Sequence, residues 1–560
     1  MLLLGLGASS FNVIPSSSSQ RQASGFLIDD YTGAAAAYSV RRISSSSTTL
    51  MRVREADGGR EADIGYDANG MLDSAAIAAH CGTADGFVVS WTDQSGNGND
   101  ATQSTTTSQP KIYDGTTQAV ITENGKPTIQ YGYRKFLDTG FDTSAAAFDL
   151  PQTFYVALRM ISYTTRTNWN KVEFYVAGTE GFVDLGKFEL KATPSDTIDT
   201  VSSTYRTTST DNAIYSGTPT SMYLHGAIFG SSSANTYVNG SAGTAVSISE
   251  SDYPDKGLTL GASEETGEGT FNMSEAIIWP SDQQADGNRT AIESNINEEY
   301  LIYQPTDTPT SGLLATYSGA AAAYSVRQLA DTAVISMTVR RDSDDEEINI
   351  GFDSNGDLDT QAIANFCQTA NGYVTRWWDQ STNGNHASQG TAGLQPQIYD
   401  GTAVITSGSL PALYSVDASF LQATQGTITD ASVLAVYQLS STDTDTYAIN
   451  NNISGSRYRL RFFSGRYYLY LDGITWAGNN YSAGSRHLHS FYDNGSTVYW
   501  RTNGGDELNR AFTSSISYEN ITGQLANDVL FQEYIVFDSN QYSNRTDIES
   551  DINTYYSIYT

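Results

Sequence analysis

Apolar and polar residues alternate through most of this chain. Phe154, Val156 and Leu158 fall on one face of an extended segment, and Val433, Ala435 and Tyr437 do the same further on. Tyr237-Val238-Asn239-Gly240 and Arg501-Thr502-Asn503-Gly504 place Asn-Gly directly after strand-like runs, the signature of a tight hairpin. Helical spacing is confined to short stretches. Asp73 and Asp359 stand as N-caps before brief apolar runs that end at Cys81 and Cys367. Ile292, Ile296 and Tyr300 share one face of a closing helix, as do Ile548, Ile552 and Tyr556. Many strands, few helices and no strand–helix alternation predict an all-β fold of antiparallel sandwiches.

The pattern occurs twice. Gly33-Ala34-Ala35-Ala36-Ala37-Tyr38-Ser39-Val40-Arg41 recurs as Gly319-Ala320-Ala321-Ala322-Ala323-Tyr324-Ser325-Val326-Arg327, and the register holds without a gap from Leu27 to Gly115. Near the ends, Asn288-Arg289-Thr290-Ala291-Ile292-Glu293-Ser294 matches Asn544-Arg545-Thr546-Asp547-Ile548-Glu549-Ser550 at an offset smaller by about 30 residues. Internal self-similarity of this kind marks a duplicated domain. The expected organisation is an N-terminal arm at 1–26, a jelly-roll domain at 27–304, a linker at 305–312 and a second jelly-roll domain at 313–560. The arm holds the polar run Ser16 to Ser19, and the linker reads Pro-Thr-Asp-Thr-Pro-Thr-Ser-Gly.

Charge narrows the partners. The 560 residues include 62 acidic and 30 basic ones, a formal net charge of −32. Such a field repels nucleic acid and anionic membranes, so neither is expected as a partner. The two cysteines, Cys81 and Cys367, fall at equivalent points of the two copies, which predicts one free thiol per domain. Met1-Leu2-Leu3-Leu4-Gly5-Leu6-Gly7-Ala8 has no basic flank, and its apolar run is short. If the protein works outside a cell, a route other than ordinary secretion is expected, and release with a virus particle is one such route.

Trp91-Thr92-Asp93-Gln94-Ser95-Gly96-Asn97-Gly98-Asn99 and its copy Trp377-Trp378-Asp379-Gln380-Ser381-Thr382-Asn383-Gly384-Asn385 resemble a segment of the catalytic domain of family 54 α-L-arabinofuranosidases, a concanavalin A-like sandwich. Glu275-Ala276-Ile277-Ile278 and Glu533-Tyr534-Ile535-Val536, each followed by a helix, resemble the end of LamG-like jelly rolls. The opening Ala-rich block resembles a module of tailed-phage structural proteins. These resemblances imply two tandem concanavalin A-like (LamG-like) sandwiches with a few short helices.

Glycoside hydrolysis uses two carboxylates, one of them protonated near neutral pH. The arabinofuranosidases carry one in a Gly-Gly-Asp stretch. The corresponding stretches here read Leu260-Gly261-Ala262-Ser263-Glu264-Glu265 and Gly523-Gln524-Leu525-Ala526-Asn527-Asp528. Glu264 or Glu265 would be a displaced carboxylate, and the family's vicinal cysteine pair is missing. The expectation is a protein that is not an enzyme, with no catalytic residues.

Asp93, Ser95, Asn97 and Asn99, with Asp379, Ser381, Asn383 and Asn385, space oxygen ligands as a calcium loop does. The twelfth position is Ser104 instead of Glu, so a turn-forming block is preferred and calcium is the only cofactor raised. Asp67-Ala68-Asn69-Gly70 and Asp353-Ser354-Asn355-Gly356 read as turns into the capped helices. His487 and His489 face one side of a strand but do not complete a metal site. Arg457, Arg459, Arg461 and Arg466 form a candidate anion- or partner-binding stripe, the first three alternating with Tyr458, Leu460 and Phe462.

The leading functional expectation is a tailed-phage virion structural protein: a fibre, appendage or decoration component. Its partners would be other virion proteins, host glycans and further copies of itself. The alternatives are an extracellular glycosidase of arabinofuranosidase type and a bacterial surface adhesin.

Overall fold

A computed structural model of the chain describes residues 25–142, 151–162, 187–192, 198–205, 211–216, 221–247, 257–261, 270–416, 419–439, 446–451, 458–463, 466–471, 474–480, 482–512, 515–521 and 529–560. Most of the arm, together with Glu264, Glu265, Arg457 and Gln524 to Asp528, lies outside these residues. The chain divides into two compact units that meet in sequence between Tyr303 and Gln304.

Each unit is an antiparallel β-sandwich of jelly-roll type, and the strand order is the same in both. In the first domain it runs Ser241–Ala242, Ser233–Val238, Tyr223–Phe229, Gln152–Ser162, Thr270–Trp279, Ile129–Tyr131, Lys111–Asp114, Gly86–Trp91, Ala101–Thr102, Phe136–Asp142, Gly257–Gly261. In the second it runs Leu508–Ala511, Thr497–Thr502, Arg486–Asp493, Ser432–Leu439, Val529–Phe537, Leu413–Ser415, Gln397–Asp400, Asn371–Trp377, Ala387–Ser388, Leu421–Ile428, Ile516–Ile521. A smaller sheet adds to each: Lys187–Ala192, Ile198–Tyr205 and Asp211–Ser216 in the first, and Thr446–Asn451, Tyr458–Phe463, Arg466–Leu471 and Ile474–Asn480 in the second.

The local signals act as their chemistry dictates. Asp73 and Asp359 accept the N–H groups of Ala76 and Ala362, each at 2.9 Å, and so start the helices Ser74–Cys81 and Thr360–Cys367. Asp67 Oδ1 accepts from the N–H of Asn69 and Met71, closing the turn ahead of the first of these. Asn239-Gly240 and Asn503-Gly504 all have positive φ: the first pair forms a two-residue hairpin between Val238 and Ser241, and the second a tight turn, closed by Gly505 N–H on the Thr502 carbonyl, within the longer connection to Leu508–Ala511. Cys81 and Cys367 are free and buried, and burial pushes each thiol up to about 11.

Alternation does not mark one wet and one dry face on the central strands. Phe154, Val156 and Leu158 are buried, and so are Tyr155 and Ala157 between them. The closing helix accounts for this, as the second domain shows: Ser490 and Tyr492 donate to Glu549 Oε1 on the helix Arg545–Tyr556, at 2.7 and 3.1 Å. His489 and Phe491 point to the other side, against Tyr467 and Tyr458 of the smaller sheet. The central layer is therefore covered on both faces.

The opening strand, a central strand and the closing helix are joined by one buried ionic cluster in each copy. Arg41 forks onto Glu275, Nε to Oε2 at 2.8 Å and Nη2 to Oε1 at 3.0 Å. Ser39 Oγ and the hydroxyl of Tyr300 donate to the same carboxylate at 2.6 and 3.1 Å. Burial opposes the charge on Arg41, and the carboxylate outweighs it, so its pKa is raised. Arg327, Glu533, Ser325 and Tyr556 repeat the arrangement, with Arg327 also reaching Asp551.

Two predictions follow from this packing. Glu275→Ala leaves Arg41 buried and unpaired and should cost about 3–5 kcal/mol in urea denaturation, whereas Arg41→Met combined with Glu275→Leu should cost far less. The second concerns pH. Burial pulls the imidazoles of His225 and His489, equivalent residues of the two copies, down to about 3. The unfolded chain takes up protons near pH 6.5 and the folded one does not. Stability is therefore full above that pH and falls as pH drops from 6.5 toward 3, by up to about 1.4 kcal/mol per pH unit for each histidine. Melting curves from pH 7 to 4 should show this slope, flattened in a His225→Leu/His489→Leu variant.

Candidate functional site

The first domain carries an open groove of about 660 Å³ on the outer face of its sheet. Strand periodicity builds it. In Met51–Glu55, Met51, Val53 and Glu55 are buried while Arg52 turns outward. The neighbouring strand Glu61–Ile64 shows Glu61 and Asp63 on the same side. Arg52 and Asp63 stand directly opposite each other across the pair. Gly86–Trp91 contributes Val89 and Ser90, the following loop Thr92 and Asp100, and Ala101–Thr102 its Thr102. Phe136 and Asp138 of Phe136–Asp142 complete the wall.

The groove is acidic. Glu61, Asp63, Asp100 and Asp138 stand against the single cation Arg52 among its lining residues. Arg52 forks onto Asp63, Nε to Oδ1 at 2.7 Å and Nη2 to Oδ2 at 3.1 Å, and lies 3.7 Å from Glu61. Hydrogen bonding from Arg52 holds the Asp63 carboxyl below its usual range, so it stays ionised in mild acid. Asp100 Oδ1 accepts the N–H of Asp93 at 2.8 Å, and Asp138 Oδ1 accepts that of Gly140 at 3.0 Å. Gln103 bridges the floor, donating to the carbonyl of Phe136 and accepting from Thr105.

None of these residues was singled out by sequence reasoning. The readable signal was the outward parity of Arg52, Glu61 and Asp63, together with the positions at which the two gapless copies differ. Thr92 faces Trp378 in that comparison, and Asp100 faces His386.

The predicted oxygen-rich block lies beside the groove and works as a clamp. Asp93 Oδ1 accepts the N–H groups of Ala37 and Ser95, and Oδ2 accepts from Ser95 Oγ and the N–H of Asn99. Asn97 and Asn99 donate to the carbonyls of Ala34 and Ala35 on the opening segment. Asp379, Ser381, Asn383 and Asn385 do the same with Ala323, Ala320 and Ala321. Gln94 and Gln380, given no role by sequence, lock the other end: Gln94 accepts the N–H of Ile43 and donates to the carbonyls of Ser39 and Arg41.

The arginine stripe forms on the smaller sheet of the second domain. Tyr458, Leu460 and Phe462 are buried, and Arg459 and Arg461 alternate with them on the opposite face. Across the register Arg459 meets Tyr470 and Arg461 meets Tyr468. The guanidinium of Arg459 lies 5.9 Å from the centre of the Tyr470 ring. Arg466 is exposed at the start of the next strand. His487 and His489 point into the core of the same domain, not toward a ligand.

Residues 301–411 match the family model of the α-L-arabinofuranosidase B catalytic domain. Over that segment the chain is distantly related to arabinofuranosidases. Among solved structures, it is similar to a GH54 α-L-arabinofuranosidase soaked with a cyclic sulfate inhibitor, at 14% identity and a TM-score of 0.38, covering 84% of this chain and 96% of that one. A mutant GH54 enzyme soaked with 4-nitrophenyl α-L-arabinofuranoside aligns at 14% identity and a TM-score of 0.37, over 71% of this chain and 90% of that one. The binding domain of botulinum neurotoxin DC in complex with SialylT aligns at 6% identity and a TM-score of 0.30, over 87% and 98%. No curated protein matches the chain.

The catalytic-domain match corrects the expectation that this protein is not an enzyme: it points toward a glycosidase. The matched segment carries the opening strand and the Asp379 clamp of the second copy, and the stretches at 260–265 and 523–528 on which the expectation rested lie outside it.

Proposed function

We propose that this chain acts on carbohydrate, as a glycosidase, through the groove of its first domain, and that it does so on the surface of a tailed-phage particle. The groove carries the reading. Its volume falls within the usual range of small-molecule sites. Carboxylates accept hydrogen bonds from sugar hydroxyls, Ser90, Thr92 and Thr102 add donors, and Phe136 offers an apolar wall. Three net negative charges disfavour sulfated and uronic sugars by like-charge repulsion, so the substrate class is a neutral glycoside.

Hydrolysis needs one carboxylate ionised and another able to deliver a proton. Asp63, kept ionised by Arg52, suits the nucleophile or general-base role. The proton donor would come from Glu61, Asp100 or Asp138, which line the same groove. The family match, on residues 301–411, falls almost wholly in the second copy and supports glycoside chemistry in the first through the repeat that the two share. Placement on a particle is supported by the resemblance of the repeated Ala-rich block to phage structural modules.

The test is turnover of 4-nitrophenyl α-L-arabinofuranoside and of other neutral nitrophenyl glycosides by the purified chain. Nitrophenol release is expected, reduced at least tenfold by Asp63→Asn. No turnover on any neutral glycoside would overturn the hydrolase assignment. Mass spectrometry of purified phage particles should find the chain at stoichiometric abundance, and finding it only free in the medium would overturn the placement.

A further inference from the structure

The outer face that forms the groove in the first domain has a direct counterpart in the second, and the two differ at its centre. Thr92 corresponds to Trp378, Asp100 to His386, Ser90 to Arg376 and Arg52 to Thr338. Trp378 is only 9% exposed. Its indole N–H donates to Thr338 Oγ1 at 2.9 Å, and its backbone N–H donates to the carbonyl of Ser336 at 2.8 Å. The His386 ring packs against it with centroids 4.4 Å apart, and the Arg376 guanidinium lies 5.0 Å from its centre. The indole therefore touches the counterparts of three residues that line the open groove.

The surrounding scaffold is unchanged. Asp93 donates its N–H to Asp100, and Asp379 donates its N–H to Nδ1 of His386 at 3.1 Å. Gln389 reaches the carbonyl of Phe420 as Gln103 reaches that of Phe136. The cross-strand pair Arg52–Asp63 becomes Thr338–Asn349, whose side chains bond at 2.8 Å. The frame of a groove is kept while its space is taken by an aromatic side chain and its charged pair is neutralised.

We infer that residue 92 and its counterpart 378 gate this face, so that the first domain takes the sugar and the second shuts it out with its own indole. Each chain then presents one open groove, not two. The inference rests on reading the first domain's groove as the sugar site.

The experiment is isothermal titration of the full chain with 4-nitrophenyl α-L-arabinofuranoside at low temperature, with melting temperature as a control. The wild type is expected to bind one molecule per chain. Thr92→Trp should weaken binding at least tenfold with little change in melting temperature. Asp138→Asn separates the two ideas. If Asp138→Asn weakens binding but Thr92→Trp does not, the gate is wrong and the groove stands. If neither Asp138→Asn nor Thr92→Trp changes binding, the groove reading itself fails. Two molecules bound per wild-type chain would overturn the gate without recourse to any variant.

Discussion

A buried arginine–glutamate fork ties each domain together. Arg41 and Glu275 are 234 residues apart in sequence, yet they join the opening strand to a central strand, and Tyr300 brings in the closing helix. Glu275 is 1% exposed. Removing such a carboxylate from water is costly, and the cost is met only because arginine, serine and tyrosine donors surround it. Within the opening strand Ala36 and Ala37 specify register weakly, since small side chains pack on either side of a one-residue slip, and the fork adds to what Tyr38 supplies by packing against Trp91. A fork that fits in only one register supplies what the alanines cannot. The same four residue types recur in the second domain at the same places, which is why two copies with many other differences keep one topology.

The second fixed device is the clamp around Asp93 and Gln94. The opening strand pairs with Thr270–Trp279 along one edge, and its other edge would leave backbone groups unpaired. Asp93, Gln94, Asn97 and Asn99 cover that edge with side chains in place of a strand. The resulting loop then hands a backbone N–H to residue 100, which lines the groove of the first domain, or to its counterpart 386. A motif spaced like a ligand site thus serves as scaffold, and its neighbour Asp100 faces the groove. Because the clamp depends on main-chain donors and carbonyls, the wall residue was free to change from aspartate to histidine without loss of the fold.

Much of the fold was legible because it rests on local chemistry. The caps Asp73 and Asp359, the Asn-Gly hairpins and the helix faces of Ile292 and Ile548 need only a few neighbouring residues to be recognised. What could not be read depends on residues distant in sequence. Alternation at Phe154, Val156 and Leu158 is real, but nothing nearby says that Tyr155 and Ala157 are covered too, since the cover comes from the closing helix. Arg41 was visible only as the end of a repeated block. The arginine stripe was legible because three arginines alternate within one strand, whereas the groove carboxylates come from separate elements and share only outward parity. The enzyme expectation failed for a related reason: it rested on the stretches at 260–265 and 523–528, while the family match falls on residues 301–411.

Duplication explains why the charges of the two domains can diverge. The first domain gathers carboxylates into a concave face, and the second sets Arg459 and Arg461 beside Tyr468 and Tyr470 on an added sheet. In a single domain these would compete, since a cationic face near an acidic groove lowers the field that each presents to a ligand. In this chain the two features lie on different domains, and the second has no counterpart of the Arg52–Asp63 ion pair. At the centre of its corresponding face an indole fills the space, and neutral Thr338 and Asn349 replace an exposed ion pair that contributes little to stability. Filling this space with an indole therefore adds buried apolar surface at little cost in stability, a change the fold can absorb in either copy.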